Sequence, residues 1–345
     1  EGGLPNSACA GSSWSGDPSV ETWQTGGTTY FYQSSLFATT GNAGTCGAGS
    51  LCVAVTACTV SGNNISCNPT PVTLASNPGG PNFEDKDFMS IDPVRGVLYI
   101  SFTDFAGPTG DDIALWECNI GADPGLLSET DCNGPLYVAS SPNGCENEGA
   151  YPAADLATGD VYVAYEHNWA TNLTSSPPCA NDPVQNRINY ITSACTQPAA
   201  TFPANAGCTG EDTYPLAAVN IVSMDSAFIP GYNRFPMNDF PRIAVSDPFG
   251  TVSIVWNDAR FHPAGDILLQ SFDLAGLFPG AVQSTPVIVN KSQGGWHMLP
   301  ALRNVDDDGD LQVSFYQRAS ANTALTDVYA AIDLSPLATK TPGNV

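Results

Sequence analysis

Apolar and polar positions along this chain alternate in short runs and do not recur every three or four residues. Gly96-Val-Leu-Tyr-Ile-Ser-Phe102, Asp160-Val-Tyr-Val-Ala-Tyr165 and Thr251-Val-Ser-Ile-Val-Trp256 are rich in Val, Ile and Tyr. That is the pattern of half-buried strands. Each run follows another apolar strand and a tight turn that holds Asp or Gly. The same hairpin recurs at 88–102, 152–165, 241–256 and 300–315, with a weaker copy at 18–32. Asp and Gly suit such turns because Gly accepts positive φ and the Asp carboxylate bonds nearby backbone amides.

Each copy continues in the same way. A third strand is predicted at 50–58, 112–118, 187–195, 266–273 and 327–333, and a fourth in most copies at 71–75, 135–140, 218–223 and 286–290. The turn glycines, Gly27, Gly96, Gly159, Gly250 and Gly309, are 69, 63, 91 and 59 positions apart by subtraction. Four antiparallel strands repeated this way describe the blades of a β-propeller. The expectation is an all-β chain, one propeller domain over 1–345, with blades near 14–75, 83–140, 148–223, 238–290 and 297–345. A sixth blade enters only if part of the chain is missing. A two-sheet sandwich would not explain five copies of one four-strand unit.

Composition then narrows the function. The 33 Gly and 28 Pro disfavour long helices, while 42% hydrophobic residues suffice for a core. The balance of 34 acidic to 10 basic residues gives a net charge of −24. This argues against nucleic acid and anionic membrane surfaces, which bind through Lys and Arg. No apolar run reaches the length of a membrane span, so no membrane insertion is expected. The chain opens Glu1-Gly-Gly-Leu-Pro with no basic-then-apolar leader, as in a mature or truncated protein.

Eleven cysteines, all within the first 208 residues and none in a CxxC pair, read as a disulfide framework in an exported, extracellular or cell-surface protein. The repeat sorts them. Cys58–Cys67, Cys118–Cys132 and Cys195–Cys208 each fall between a third and a fourth strand. Cys46–Cys52 closes a loop of the first unit and Cys145–Cys179 staples the long loops of the third, leaving Cys9 without a partner inside the chain. Asn64, Asn172 and Asn290 open N-glycosylation sequons.

Two stretches carry a family likeness. Asp85-Lys-Asp-Phe-Met-Ser-Ile-Asp-Pro93 followed by Gly96–Phe105, and Phe240-Pro-Arg-Ile-Ala-Val-Ser-Asp247 with Val255-Trp-Asn-Asp-Ala-Arg260, resemble secreted sialidase-like propeller proteins over roughly 14–335. The Asp-box turn of that family, Ser-x-Asp-x-Gly-x-Thr-Trp, occurs nowhere. The resemblance implies an arginine triad, a Tyr/Glu nucleophile pair and an Asp acid in an active sialidase. Arg242 stands in Phe240-Pro-Arg-Ile243, an echo of the motif that carries the first of those arginines.

In a propeller, the loops that enter each first strand and leave each second strand open on one face near the channel. That places Lys86, Asp87 and Asp104 from one unit there, beside Glu166 and His167, Asp239 and Arg242, Asp258 and Arg260, His297, and Arg318 from the others. The set describes a polar binding or hydrolytic site of paired carboxylates and arginines, or a hydrated face whose Asp and Arg side chains tie loops together. Asn304-Val-Asp306-Asp-Asp308-Gly-Asp310 matches the first half of a calcium loop, although position twelve is Phe315 in place of Glu. Calcium is therefore the one candidate cofactor, with Asp306, Asp308 and Asp310 as ligands and a plain turn as the alternative. No GxSxG, HExxH or P-loop occurs.

The expected function is a secreted, disulfide-stabilised propeller acting as a non-catalytic binding or assembly protein, with a glycan or an extracellular protein on the channel face, or self-assembly. A sialidase-type glycoside hydrolase is the second reading. A structural subunit of an extracellular fibre or surface layer is the third.

Overall fold

The computed structural model describes residues 12–140, 146–169, 187–195, 217–224, 238–246, 250–274, 284–291, 294–304, 310–319 and 326–334. The fold is all-β, of the five-bladed propeller class, with antiparallel sheets and almost no helix. The first sheet holds β1 (Ser12–Thr25), β2 (Thr28–Thr39), β3 (Leu51–Ser61), β4 (Asn64–Cys67) and the short β5 (Val72–Thr73), which also pairs with β3. The second runs β6 (Glu84–Asp92), β7 (Val97–Asp104), β8 (Asp112–Asn119) and β9 (Cys132–Ala139). The third is β10 (Asn147–Ala154), β11 (Val161–His167), β12 (Ile188–Cys195) and β13 (Ala217–Asn220). The fourth is β14 (Arg242–Ser246), β15 (Thr251–Asp258), β16 (Asp266–Asp273) and β17 (Val287–Ile288). The last has three strands among the described residues, β18 (Trp296–Asn304), β19 (Leu311–Arg318) and β20 (Asp327–Leu334).

The expected turn chemistry appears atom by atom. The Asp92 carboxylate accepts the amides of Val94 and Arg95, and the Gly96 amide closes on the Asp92 carbonyl at 2.8 Å. Asp155 repeats this with the amides of Ala157 and Thr158, and Gly159 closes on its carbonyl. Both glycines sit at positive φ, 66° and 85°, where a side chain is strained.

Contacts divide the chain into two compact units, residues 1–163 with 192–213, and residues 164–191 with 214–345. In the first, sheets one and two pack through Tyr32, Val53, Leu74, Met89, Leu98 and Phe102, all buried. In the second, sheets four and five pack through Val255, Ile267, Leu269, Leu302, Val313 and Phe315. Inward-facing residues supplied by strand alternation thus give each of these sheet pairs an apolar core.

Three disulfides form: Cys46–Cys52, Cys58–Cys67 and Cys118–Cys132. Cys58 lies directly opposite Cys67 across β3–β4, and Cys118 opposite Cys132 across β8–β9, as the repeat requires. Cys9, Cys145–Cys179 and Cys195–Cys208 lie outside the residues whose side chains are described. No helix among the described residues is long and apolar enough to cross a membrane.

Candidate active site

Most of the charges expected at the channel face are engaged inside the protein. In the second unit Arg187, just before β12, donates through Nε to Glu166, through Nη2 to Asp239 and through Nη1 to Ser223 Oγ. Glu166 and Asp239 are fully buried. Burial drives Glu166 well above the usual carboxylate range, against the pull of Arg187, and the neighbouring Asp239 charge adds to the rise; burial also raises Asp239. Each carboxyl bonds Arg187 through one oxygen, and its other oxygen, Glu166 Oε2 and Asp239 Oδ2, is buried without a partner among the described residues. This is a buried ion triad.

Asp258 is likewise engaged. Its carboxylate accepts Trp256 Nε1 at 2.9 Å, the Val222 amide at 3.2 Å and the Arg260 backbone amide, Nε and Nη2 at 2.8, 2.9 and 2.8 Å. Arg260 also donates to the Asn220 carbonyl and lies 5.9 Å over the Trp256 ring. Of the two expectations for these side chains, the described bonds are those of Asp and Arg tying loops together. Arg242 Nη1 donates to the Pro241 carbonyl at 3.2 Å. His297 is buried and kept neutral by desolvation, with Nδ1 donating to the Gly265 carbonyl at 3.0 Å. The His167 ring lies 5.5 Å from that of Tyr190, and Arg318 ends β19 opposite Trp296.

In the first unit Lys86 is held between Asp17 and Asp85 at 2.8 and 2.9 Å, with φ of 59°. Asp87 beside it is buried, accepts Ser34 Oγ, and is pushed up to about 7, chiefly by desolvation. Glu84 accepts the amides of Val53 and Ser76 at 2.6 and 2.8 Å, and burial lifts it to about 8. Asp104 accepts the Ala106 amide and the Tyr137 hydroxyl, each at 3.0 Å, and burial raises it too.

Two further carboxyls stand apart from these. Asp111 ends the loop between β7 and β8, and Glu146 leads into β10; both are half-buried. Neither makes a hydrogen bond or ion pair among the described residues, and Glu146 Oε2 is a buried atom without a partner. Desolvation pushes Asp111 up to about 7, and the charges of Glu146, Asp112 and Asp104 reinforce it. Glu146 is raised by desolvation alone. The Glu146 charge is thus one of the causes that help Asp111 keep its proton toward neutral pH.

The loop that presents Asp111 is braced by its own bonds. Gly107 N meets the Asp104 carbonyl at 3.2 Å and Gly110 N the Gly107 carbonyl at 3.3 Å. Asp112 turns back to accept the Thr109 amide at 2.9 Å and its hydroxyl. A Cβ on Gly107 would stand 2.6 Å from Asp112 Oδ2, so only glycine closes this loop. Sequence reasoning selected Asp104 and passed over Asp111 and Glu146; the closely spaced Gly107 and Gly110 before paired aspartates were the available signal.

Among the described residues no group of three or more His, Cys, Asp or Glu side chains is arranged to hold a metal. Asp306 and Asp308 of the calcium-type loop lie outside the described residues; Asp310 stands half-buried just before β19.

No protein-family model matches the chain, and no curated protein does. Solved structures of similar architecture include an endo-arabinase from Bacteroides thetaiotaomicron, 13% identical, with 88% of this chain and 89% of that one covered at a TM-score of 0.41. An α-L-arabinofuranosidase from Lactobacillus brevis is 12% identical over 92% and 93% at 0.43. A thermostable family-43 glycoside hydrolase is 12% identical over 96% and 92% at 0.41. Scores this low carry no argument about mechanism.

These findings correct two expectations. The structures named above are glycoside hydrolases by name, which stands against the expectation of a non-catalytic binding or assembly protein. They are not named as sialidases either, and Arg260, one of the cations such a site would recruit, is bound to Asp258.

Proposed function

We propose that this chain is a glycoside hydrolase in which Asp111 is the general acid and Glu146 the ionised partner. Glycosidic cleavage needs one carboxyl that still holds its proton near neutral pH, to protonate the leaving oxygen. It also needs a second, ionised carboxylate, to activate water or attack the sugar. What supports the reading is the placement of this pair: two half-exposed carboxyls with no hydrogen bond or ion pair among the described residues, both raised by desolvation, Asp111 to about 7. Neighbouring carboxyls whose environments separate their titration mark acid and base roles. The low-scoring structural likenesses add nothing to it. A sialidase specificity has no support in the cations, since Arg187 and Arg260 are committed to internal carboxylates.

The test is a screen of aryl glycosides and soluble polysaccharides for released phenol and reducing ends, with the wild-type chain, Asp111→Asn and Glu146→Gln. Turnover lost in both variants without a fall in melting temperature is the expected result. Wild-type protein that cleaves none of the panel, or Asp111→Asn that cleaves normally, overturns the proposal.

A further inference from the structure

The same end of the second sheet carries a feature that acid–base chemistry does not use. Phe83, immediately before β6, is 51% exposed, although Asn82 and Glu84 on either side are buried. Its backbone is fixed on both sides. The Phe83 carbonyl accepts the Phe105 amide at 2.9 Å, and the preceding Asn82 carbonyl accepts the Leu51 amide at 3.1 Å. The Phe83 ring packs on Phe105, with centroids 5.0 Å apart and planes 30° from parallel. An exposed aromatic ring held by a fixed backbone and a second ring loses little freedom when a ligand covers it.

Phe105 also opens the loop that Asp111 closes. Even a fully extended chain would place the two Cα atoms no more than about 20 Å apart, and the internal turns of this loop bring them closer. One oligosaccharide can therefore reach from the aromatic pair to the carboxyl pair.

We propose that Phe83, backed by Phe105, is a stacking platform for a sugar ring of a glycan chain, one or more residues away from the bond that is cut. The apolar C–H face of a pyranose would cover the Phe83 ring, while its hydroxyls stay in water. The proposal rests on the glycosidase reading for the identity of the ligand and extends it from a single sugar to an oligosaccharide or polysaccharide.

Native gels cast with soluble β-glucan, xylan or galactan test it without requiring turnover. Wild-type protein should be retarded by at least one of the three. Phe83→Ala should bind that polysaccharide roughly tenfold more weakly, as loss of one aromatic contact implies, and Phe83→Trp should restore the binding. Equal retardation of wild type and Phe83→Ala overturns the platform, as does a wild-type chain that none of the three retards. If wild type cleaves a glycan but Phe83→Ala binds it equally well, the platform fails and the hydrolase stands. If Phe83 governs binding but nothing is cleaved, the hydrolase fails and the platform stands.

Discussion

Two groups of carboxyls in this molecule answer to different physics. Glu166 and Asp239 flank Arg187 in the interior, and Asp258 is filled by Trp256, Val222 and Arg260. Asp111 and Glu146 stand half-exposed with no ion pair among the described residues. Both groups contain raised carboxyls, so a shift alone does not mark a reactive site. What separates them is access and a cation: a fully buried carboxyl bound to Arg187 holds the fold, and a half-exposed one without such a bond can act on a ligand.

The comparison breaks most visibly at Asp111. Asp111→Asn removes the proton donor and should lower turnover by about 10²–10⁴-fold, the usual worth of a general acid, while the urea midpoint does not fall, since folding desolvates this carboxylate. Arg187→Met should do the reverse. It strands two buried carboxyls and should cost about 3–5 kcal/mol of stability, the scale for removing one partner of a buried ion pair. A urea titration of both variants reads the contrast directly. A stability loss in Asp111→Asn equal to that in Arg187→Met would erase the distinction.

How much of this was legible in the sequence follows from the same contrast. The hairpins were readable because Asp92 and Asp155 act on amides two and three residues away, and local chemistry leaves a local pattern. The pairings Cys58–Cys67 and Cys118–Cys132 followed once strands were aligned, since directly opposed residues in a ladder meet. The site was less legible. With 34 acidic and 10 basic residues, at least 24 carboxyls have no cation of their own, and sequence does not say which. Asp258 and Arg260, only two positions apart, looked available because their bonding to Trp256, Val222 and Asn220 depends on folding. Asp111 and Glu146 lie in loops, outside any repeat, where no period calls attention to them.

The pH dependence sharpens the comparison further. Activity requires Asp111 protonated and Glu146 ionised, so it should fall about tenfold per unit as pH rises above about 7. Below the raised pKa of Glu146 it should fall again. Stability responds to the buried set. Glu84 and Asp87 stand at about 8 and about 7 in the fold, against 4.5 and 3.8 ordinarily. A pKa raised by folding contributes stability that is present in full below the ordinary value and is lost as pH rises through the folded value. The urea midpoint should therefore decline steadily from about pH 5 to pH 8. A midpoint that climbs over that range would contradict the burial of these groups.

The smallest effect tests whether burial and bonding sort groups other than carboxyls. Asn64 and Asn290 open sequons of the same form. Asn64 begins β4 and is exposed. Asn290 is buried, its amide nitrogen donating to Asp266 Oδ1 at 3.0 Å and its carbonyl accepting the Ile267 amide at 2.7 Å. A glycan on Asn290 would have to displace both bonds. Expressed in a glycosylating host and mapped by peptide mass spectrometry, the chain should carry sugar at Asn64 and none at Asn290. Asn64→Gln should change stability by less than about 0.5 kcal/mol, the range for an exposed position. Asn290→Gln should cost about 1–3 kcal/mol, because a longer side chain cannot keep both partners and leaves buried groups unpaired. Occupancy at Asn290 would show that a buried, doubly bonded amide is not out of reach, and the division drawn between Asp258 and Asp111 would lose its physical basis.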